Sequence, residues 1–282
     1  MIRDYNPEDL ARVIAMVQKG DTKSADEVVE VLGKYRSLVY TDGRGIRGVA
    51  CVLEEQPQDY NLRIYVDPTH RRGGIGAALW QAAVATLKEM GPAGRVTVRY
   101  RSDKGDSRAF YAARGFKPWY AMDYLRHAGP RFPTPSLNVR PYDDRYFQAF
   151  IRMRSDAFYP VRKAFDHKPY RIYDQDNREE YRQACLRSRD DMFLAFDGDE
   201  LVGCTEVIKD FIDVVGVTPA HQGKGYGKAL TQFSANLLRD RGHTVQRTAV
   251  VVGNTKAQAL YDRLGFERSQ TNEWACLQMP DK

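Results

Sequence analysis

One stretch of this chain occurs twice, and that repetition limits the possible folds more than any other feature. Val217-Thr-Pro-Ala-His-Gln-Gly-Lys-Gly-Tyr-Gly-Lys-Ala-Leu ends at Leu230, and Val66-Asp-Pro-Thr-His-Arg-Arg-Gly-Gly-Ile-Gly-Ala-Ala-Leu ends at Leu79. The two runs share Val66 with Val217, Pro68 with Pro219, His70 with His221, Gly74 with Gly225 and Gly76 with Gly227, every pair 151 residues apart. A constant offset over five identities marks a duplicated unit. At 282 residues the chain is about twice a typical domain, so two domains of similar size are expected.

Each copy has the same local logic. An apolar run stops at a proline, and a glycine-rich loop opens directly into a helix. Gly223, Gly225 and Gly227 let backbone approach a ligand without β-carbons in the way. Their N–H groups, with the free N–H groups and positive dipole end of the following helix, form an anion site to which Lys224 and Lys228 add charge. A pyrophosphate group suits such a cradle, and an ordinary glycine turn before a helix is the alternative.

Two common phosphate loops do not fit. A nucleotide-triphosphate loop of the form G-x-x-x-x-G-K-[ST] would need Gly at Gln222 and a hydroxyl at Ala229. A dinucleotide loop G-x-G-x-x-G would need Gly at Leu230, and at Leu79 in the first copy.

The repeated order of elements is visible around both loops. In the first half, Ile2-Arg-Asp-Tyr begins a short strand, and Asn6-Pro7 caps a helix carrying Leu10, Val13, Ile14 and Val17. A second helical stretch is expected near Ala25 to Leu32, then strands over 37–41, 46–53 and 60–66. The loop-helix follows to about Met90, then a strand over 95–101, a short helix over 107–114 and a strand over 117–125. Residues 126–138 hold three prolines and no periodicity, which places a linker at 129–138 between a domain over 1–128 and one over 139–282.

In the second half, Asn138-Val-Arg-Pro echoes the opening, and strands are expected over 192–196, 201–209 and 211–217. The loop-helix should present Tyr226, Leu230, Phe233 and Leu237 on one face, followed by a strand over 243–252, a helix over 255–264 and a last strand over 274–279. A longer stretch over 155–191, rich in Tyr, Arg and Asp and containing His167, has no counterpart in the first half.

Composition narrows the class. Hydrophobic residues at 43% and charged residues at 28% describe a globular chain with material for two cores. The net charge of +6 divides into +4 over residues 1–130 (20 − 16) and +2 over the rest (23 − 21), so no basic arm exists and nucleic acid is not an expected partner. Cys51, Cys185, Cys204 and Cys276 are too scattered for a metal or disulfide framework, which suggests buried thiols in a reducing compartment. No apolar leader or span is present, so a cytoplasmic protein without a membrane partner is expected. His70 and His221 read as surface residues beside the loops, and no metal site is indicated.

One pattern does fit both loops: (Arg or Gln)-x-x-Gly-x-(Gly or Ala), carried by Gln222, Gly225 and Gly227 and by Arg71, Gly74 and Gly76. Downstream, Asn254-Thr-Lys-Ala-Gln-Ala-Leu-Tyr-Asp-Arg-Leu-Gly-Phe266 completes a second motif, of which the first half keeps Phe110-Tyr111 and Gly115-Phe116 but has Lys104 and Ser107 elsewhere. Together these resemble the GNAT acyltransferase superfamily, in a tandem two-domain layout. The resemblance implies an α/β (α+β) fold, two tandem GNAT domains, each a mixed, mostly antiparallel twisted sheet flanked by helices.

It further implies acetyl-CoA as cofactor and transfer of its acetyl group to a primary amine of a small molecule or peptide. The cofactor residues it implies are Val217, Gln222, Gly223, Lys224, Gly225, Tyr226, Gly227, Lys228 and Asn254 in the second half. In the first half they are Val66, Arg71, Arg72, Gly73, Gly74, Ile75 and Gly76. A backbone N–H near Val217 would polarise the thioester carbonyl, and Tyr261 would protonate the departing thiolate, with Tyr111 its counterpart. Asp213 would take the amine proton, with Glu206 and Asp210 as alternatives; 151 residues earlier stands Leu62, which cannot. The C-terminal half is thus expected to catalyse and the N-terminal half to be degenerate. A CoA-binding sensor without catalysis, and a transferase for longer acyl donors, stay open at this point, as do the acceptor and the oligomeric state.

Overall fold

The computed structural model describes residues 1–20, 28, 31–56, 58–91, 94–103, 105–171 and 178–279. The helical stretch expected near Ala25 to Leu32 lies largely outside them, as does Lys104. The chain forms two compact units, Met1–Trp119 with Glu273–Lys282, and Tyr120–Asn272. The expected division into consecutive segments joined at 129–138 therefore differs from the folded one. The strand that closes each repeat in sequence is shared out: the first repeat's last strand belongs to unit 2 from Tyr120, and the second repeat's last strand belongs to unit 1 from Glu273.

Unit 1 contains β1 (Ile2–Asp4), β2 (Arg36–Thr41), β3 (Ile46–Gln56), β4 (Asp59–Val66) and β5 (Arg95–Arg101), in that order across the sheet. β1 to β4 pair antiparallel and β4 pairs β5 in parallel. Among the described residues, α1 (Leu10–Gln18), α2 (Ile75–Met90) and α3 (Gly105–Ala112) flank it. α1 follows a single 3-10 turn opened by the Asn6 cap and Pro7, and Asp9 completes the cap by accepting from the Asn6 N–H. Strand alternation sorts the core. Val39, Val49 and Cys51 meet Val13, Met16 and Val17 of α1, while Leu38 and Ala50 meet Ile75 and Leu79 of α2.

Unit 2 contains β6 (Lys117–His127, from Tyr120), β7 (Asn138–Pro141), β8 (Met192–Asp197), β9 (Glu200–Ile208), β10 (Phe211–Val217), β11 (Gln246–Val251) and β12 (Glu267–Gln278, to Asn272). Their order is β12-β6-β11-β10-β9-β8-β7. Pairing is antiparallel between β7 and β8, β8 and β9, β9 and β10, and β11 and β6; β10 and β11 run parallel. The helices are α4 (Phe147–Ala164), α5 (Arg178–Arg187), α6 (Tyr226–Asp240) and α7 (Thr255–Arg263). α4 and α5 cover the face bearing Leu194, Phe196, Cys204 and Val214, and α6 and α7 the face bearing Ala195, Val202, Ile212 and Val250.

Two expectations are corrected here. The last strand begins at Glu267, not Trp274. Residues 267–273 are too polar to announce a strand, but β6 lies beside them in unit 2 and supplies the backbone partners that the pattern could not. The buried stripe of α6 is Leu230, Thr231, Ser234, Ala235 and Leu238, with Phe233 and Leu237 at its edge. The hydroxyls are accommodated because Thr231 and Ser234 donate to the Gly227 and Leu230 carbonyls at 2.8 and 2.9 Å. Cys51, Cys185 and Cys204 are buried thiols and Cys276 is half-buried. Among the described residues no helix is long and apolar enough to cross a membrane.

Candidate active site

The two parallel pairs open in the same way. In unit 2, β10 and β11 register at Phe211 with Arg247 and Ile212 with Thr248, and pairing stops there. β10 continues to pair with β9 as far as Val217 opposite Gly203, so from Val214 onward its other edge presents N–H and C=O groups to a gap. Unit 1 repeats the geometry, with β4 and β5 registered only through Asn61 and Thr97. Thr97 and Thr248 are again 151 residues apart.

The repeats differ at the residue where the gap begins. The register of β10 on β9 shifts between Ile212 and Val214, making Asp213 the extra residue of a β-bulge. A bulge adds local twist and re-aims a side chain. In unit 1 the register runs unbroken through Leu62, which is 1% exposed and packed with Val52, Ala83 and Val98. The strand that carries an exposed acid in unit 2 is thus an unbulged core strand in unit 1.

At the strand ends, the first residue of the loop pattern has a structural task in both copies. Gln222 Nε2 donates to the Val217 carbonyl at 3.1 Å, and Arg71 Nε donates to the Val66 carbonyl at 3.3 Å. These bonds fold the loop back over the strand end and aim the next N–H groups at the helix start. Gly223 and Gly225 lie at φ +81° and +94°, conformations that favour glycine, with no atom within 4 Å of where a β-carbon would stand. In unit 1, Gly74 matches Gly225 at φ +81°, but the place of Gly223 is taken by Arg72 at φ +66°, whose guanidinium pairs with Asp106. Gly73 stands opposite Lys224 and needs no left-handed backbone.

α6 begins at Tyr226 with no side chain capping its first turn, and α2 begins at Ile75 in the same way. The open N–H groups, the exposed Lys224 and Lys228, and the open space over the glycines fit a pyrophosphate group. Several implied residues contribute differently than their side chains suggested. Ile75 packs in the core, so only its N–H faces a ligand. Val66 and Val217 likewise offer backbone groups; Val217 is buried against Leu230. Gly76 serves helix packing, because a β-carbon would meet Phe110 of α3 at 3.2 Å, whereas one at Gly227 would make only ordinary contact with Leu260 of α7 at 3.5 Å. The Tyr226 hydroxyl donates to Asp197 at 2.5 Å. Asn254 caps α7 by accepting from the Ala257 N–H at 3.3 Å, which leaves its amide nitrogen as the group able to meet a ligand.

His221 is not a surface residue. It is buried, Nδ1 bonded to the Thr218 hydroxyl at 2.9 Å and its ring set against Tyr226. His70 bonds Thr69 at 2.8 Å and is half-buried. Both histidines brace the turn between strand and loop, which explains why the duplicated run carries one in each copy.

Tyr261 of α7 is buried in the cluster of Leu125, Val250, Leu264 and Phe266. Burial raises its pKa, opposed by the Thr248 hydroxyl beside it, so the phenol is a proton donor at neutral pH. That same hydroxyl donates to the Ile212 carbonyl at 3.0 Å. Tyr261 therefore stands at the residue pair where β10 and β11 part, one position from Asp213. Asp213 is exposed on the strand, yet desolvation in its concave surroundings raises its pKa, with Arg154 acting in the opposite direction. Tyr111 is buried to the same degree as Tyr261, with Tyr100 and Phe116 at ring distances of 5.7 and 5.4 Å, and Thr97 accepts from the Asn61 amide at 3.0 Å.

Sequence reasoning missed three contributors. Arg154 of α4 forms an ion pair with Glu206 of β9, which occupies that alternative base, and among the described residues no cation pairs with Asp213. Glu206 is itself raised, first by desolvation. Gly203 and Gly48 seat the helices: β-carbons there would meet Leu230 at 2.9 Å and Leu79 at 2.7 Å. Phe158 of α4 covers Gly216, and Phe165 lies over Gly253, so α4 spans the open gap. The apolar spacing of Phe147, Phe150, Ile151, Ala157 and Phe158 was the available signal for α4, masked by Pro160 within it.

Comparison with known proteins agrees with this geometry. Residues 148–266 match the acetyltransferase (GNAT) family model and residues 33–118 match an acetyltransferase (GNAT) domain model. The mycothiol acetyltransferase of Mycolicibacterium vanbaalenii is 31% identical over 267 residues, covering 88% of this chain and 85% of that protein. That of Amycolatopsis mediterranei is 29% identical, covering 94% and 93%. Among solved structures, a GCN5-related N-acetyltransferase from Sphaerobacter thermophilus superposes with a TM-score of 0.74 at 21% identity, covering 100% of this chain and 96% of that one. A tandem GNAT protein from the clavulanic acid biosynthesis pathway gives 0.70 at 16% identity, covering 100% and 99%. The chain belongs to the GNAT acetyltransferase family, an acetyl-CoA-dependent N-acetyltransferase built from two repeats of that fold.

Proposed function

We propose that acetyl transfer takes place in unit 2, to a primary amine on a small molecule, with Asp213 as base and Tyr261 as acid. The observation that carries this reading is the bulge at Asp213 beside the Ile212–Thr248 pair, matched in unit 1 by buried Leu62 in a regular strand. The N–H groups of residues 223–228 and the two lysines hold the pyrophosphate of acetyl-CoA, which supplies the activated acetyl group. The free N–H edge of β10 beyond Val214 stabilises negative charge developing on the acetyl oxygen. Asp213 accepts a proton from the attacking amine as the N–C bond forms, and Tyr261 gives its proton to the sulfur as the C–S bond breaks. Asp213 then releases the amine proton to solvent and Tyr261 regains one, which balances the turnover.

Relatives named mycothiol acetyltransferases along nearly the whole chain support a small-molecule acceptor over a peptide. Unit 1 retains a loop able to hold an anion, but buried Leu62 stands where unit 2 has Asp213, so it lacks the base, which suits a supporting repeat.

The test is incubation with acetyl-CoA and an amine library, read by mass spectrometry of products and by free CoA thiol. Product is expected with the wild type and with Tyr111→Phe, and is expected to fall sharply with Asp213→Asn and Tyr261→Phe. Undiminished product in both unit 2 variants would overturn the assignment.

A further inference from the structure

The face of α4 that carries Phe158 also carries a cation with no carboxylate partner among the described residues. Arg154, Phe158 and Arg162 recur every four residues, so they share one side of the helix. Phe158 lies against Gly216 on β10, and Phe165 lies against Gly253, just past the end of β11. Along the chain Arg162 lies between Phe158 and Phe165, the two residues that make those contacts.

The half-buried guanidinium groups here are not equivalent. Arg154 is paired with Glu206, and Arg171 with Asp156. Arg162 is half-buried and has no carboxylate partner among the described residues. Its Nε donates to the Pro169 carbonyl at 2.7 Å. That bond orients the guanidinium, and among the described residues its Nη1/Nη2 edge has no hydrogen-bond partner. Desolvation disfavours its charge, and nearby Arg154 adds repulsion. A fold gains nothing from an isolated, partly dehydrated cation beside a second one; burying charge costs stability unless an anion answers it. The acids nearest in the chain are already engaged, Asp166 with Tyr170 and Asp156 with Arg171.

We infer that Arg162 is the recognition group for an anionic substituent on the acceptor, so that the preferred substrate is a primary amine also bearing a carboxylate or phosphate. The fork edge of an arginine matches either group through paired N–H donors. The anion docks at Arg162, and the amine is thereby held toward Asp213. This inference rests on unit 2 being the transferase site.

The experiment uses the full chain, acetyl-CoA, and an amine library arranged in matched pairs: amino acids against their amides, and phosphorylated amino alcohols against the free alcohols. Wild type is expected to acetylate anionic members with kcat/KM roughly 10- to 100-fold above their neutral partners, the range of one charge-assisted bidentate contact. Arg162→Gln should erase that difference while leaving KM for acetyl-CoA unchanged, and Arg162→Lys should restore part of it. The carboxylate and phosphate arms separate the two anion classes. Product confined to neutral amines, or a preference that persists in Arg162→Gln, overturns the inference. A Tm within about 2 °C of wild type, less than 1 kcal/mol of lost stability would cause in a chain this long, separates loss of recognition from loss of folding. Failure of the underlying site reads differently: turnover would then survive Asp213→Asn and Tyr261→Phe. No product from any amine counts against both.

Discussion

The Thr248 hydroxyl donates to the Ile212 carbonyl at 3.0 Å, at the last register that β10 and β11 share. This bond pins the point where the sheet opens, with Tyr261 against the same threonine and Asp213 one residue further along the strand.

Because Tyr261 is placed there by α7 and by burial, removing only its hydroxyl should leave the fold intact. Tyr261→Phe is expected to lower kcat by roughly 10²-fold or more, with little change in acetyl-CoA affinity, as for loss of a general acid. Steady-state kinetics with isothermal titration of CoA checks both halves. Equal turnover in the variant removes the phenol from the reaction.

The acid limb of the rate profile should report Asp213. Its carboxyl is held above the usual range by desolvation, so kcat/KM should rise with pH through a midpoint above that of an ordinary aspartate. Arg154 opposes that shift, so Arg154→Met should move the limb to higher pH, and Arg154→Lys should leave it near the wild-type position. A limb that moves down in Arg154→Met contradicts the assignment of Asp213 as base.

Gly203 lets α6 approach β9 close enough for its first turn to meet the loop. A β-carbon would stand 2.8 Å from the Gly216 carbonyl oxygen and 2.9 Å from Leu230. Gly203→Ala is expected to cost about 1–3 kcal/mol by overpacking and to weaken CoA binding as the helix start shifts. Chemical denaturation alongside CoA titration measures the two effects. An alanine tolerated without either would mean the sheet and helix yield freely there.

In unit 1, Asp67 makes the strand-to-loop turn sensitive to acid. Its side chain is 1% exposed; burial pushes its pKa up, but bonds from Thr69 and from Lys19 outweigh this and bring it to about 2. A folded pKa below the unfolded one stabilises above the unfolded value, so roughly 2 kcal/mol is present near neutrality and lost as pH falls from about 4 toward 2. Stability measured across that range should fall less steeply in Asp67→Asn than in wild type. Parallel curves would show that another group governs acid unfolding.

Much of this was legible in the residues alone. The 151-residue offset, the glycine loops opening into helices and the cap at Asn6 are local facts, fixed by backbone sterics and short-range hydrogen bonding. They were enough for two repeats, an anion loop at each strand end, and the contrast between Asp213 and Leu62.

Other features depend on residues distant in sequence, and the tertiary structure decided those. The polar strand from Glu267 exists because β6 offers a backbone partner. Which acid is left unpaired depends on Arg154 reaching Glu206 from 52 positions away, and which cation is left unpaired depends on α4 lying across the gap. The sequence determined the repeat and its phosphate loop because those follow from conformations that few residues can adopt. The distribution of charge around the gap arose only when α4 and β9 packed together, since pairing and desolvation are properties of the folded neighbourhood.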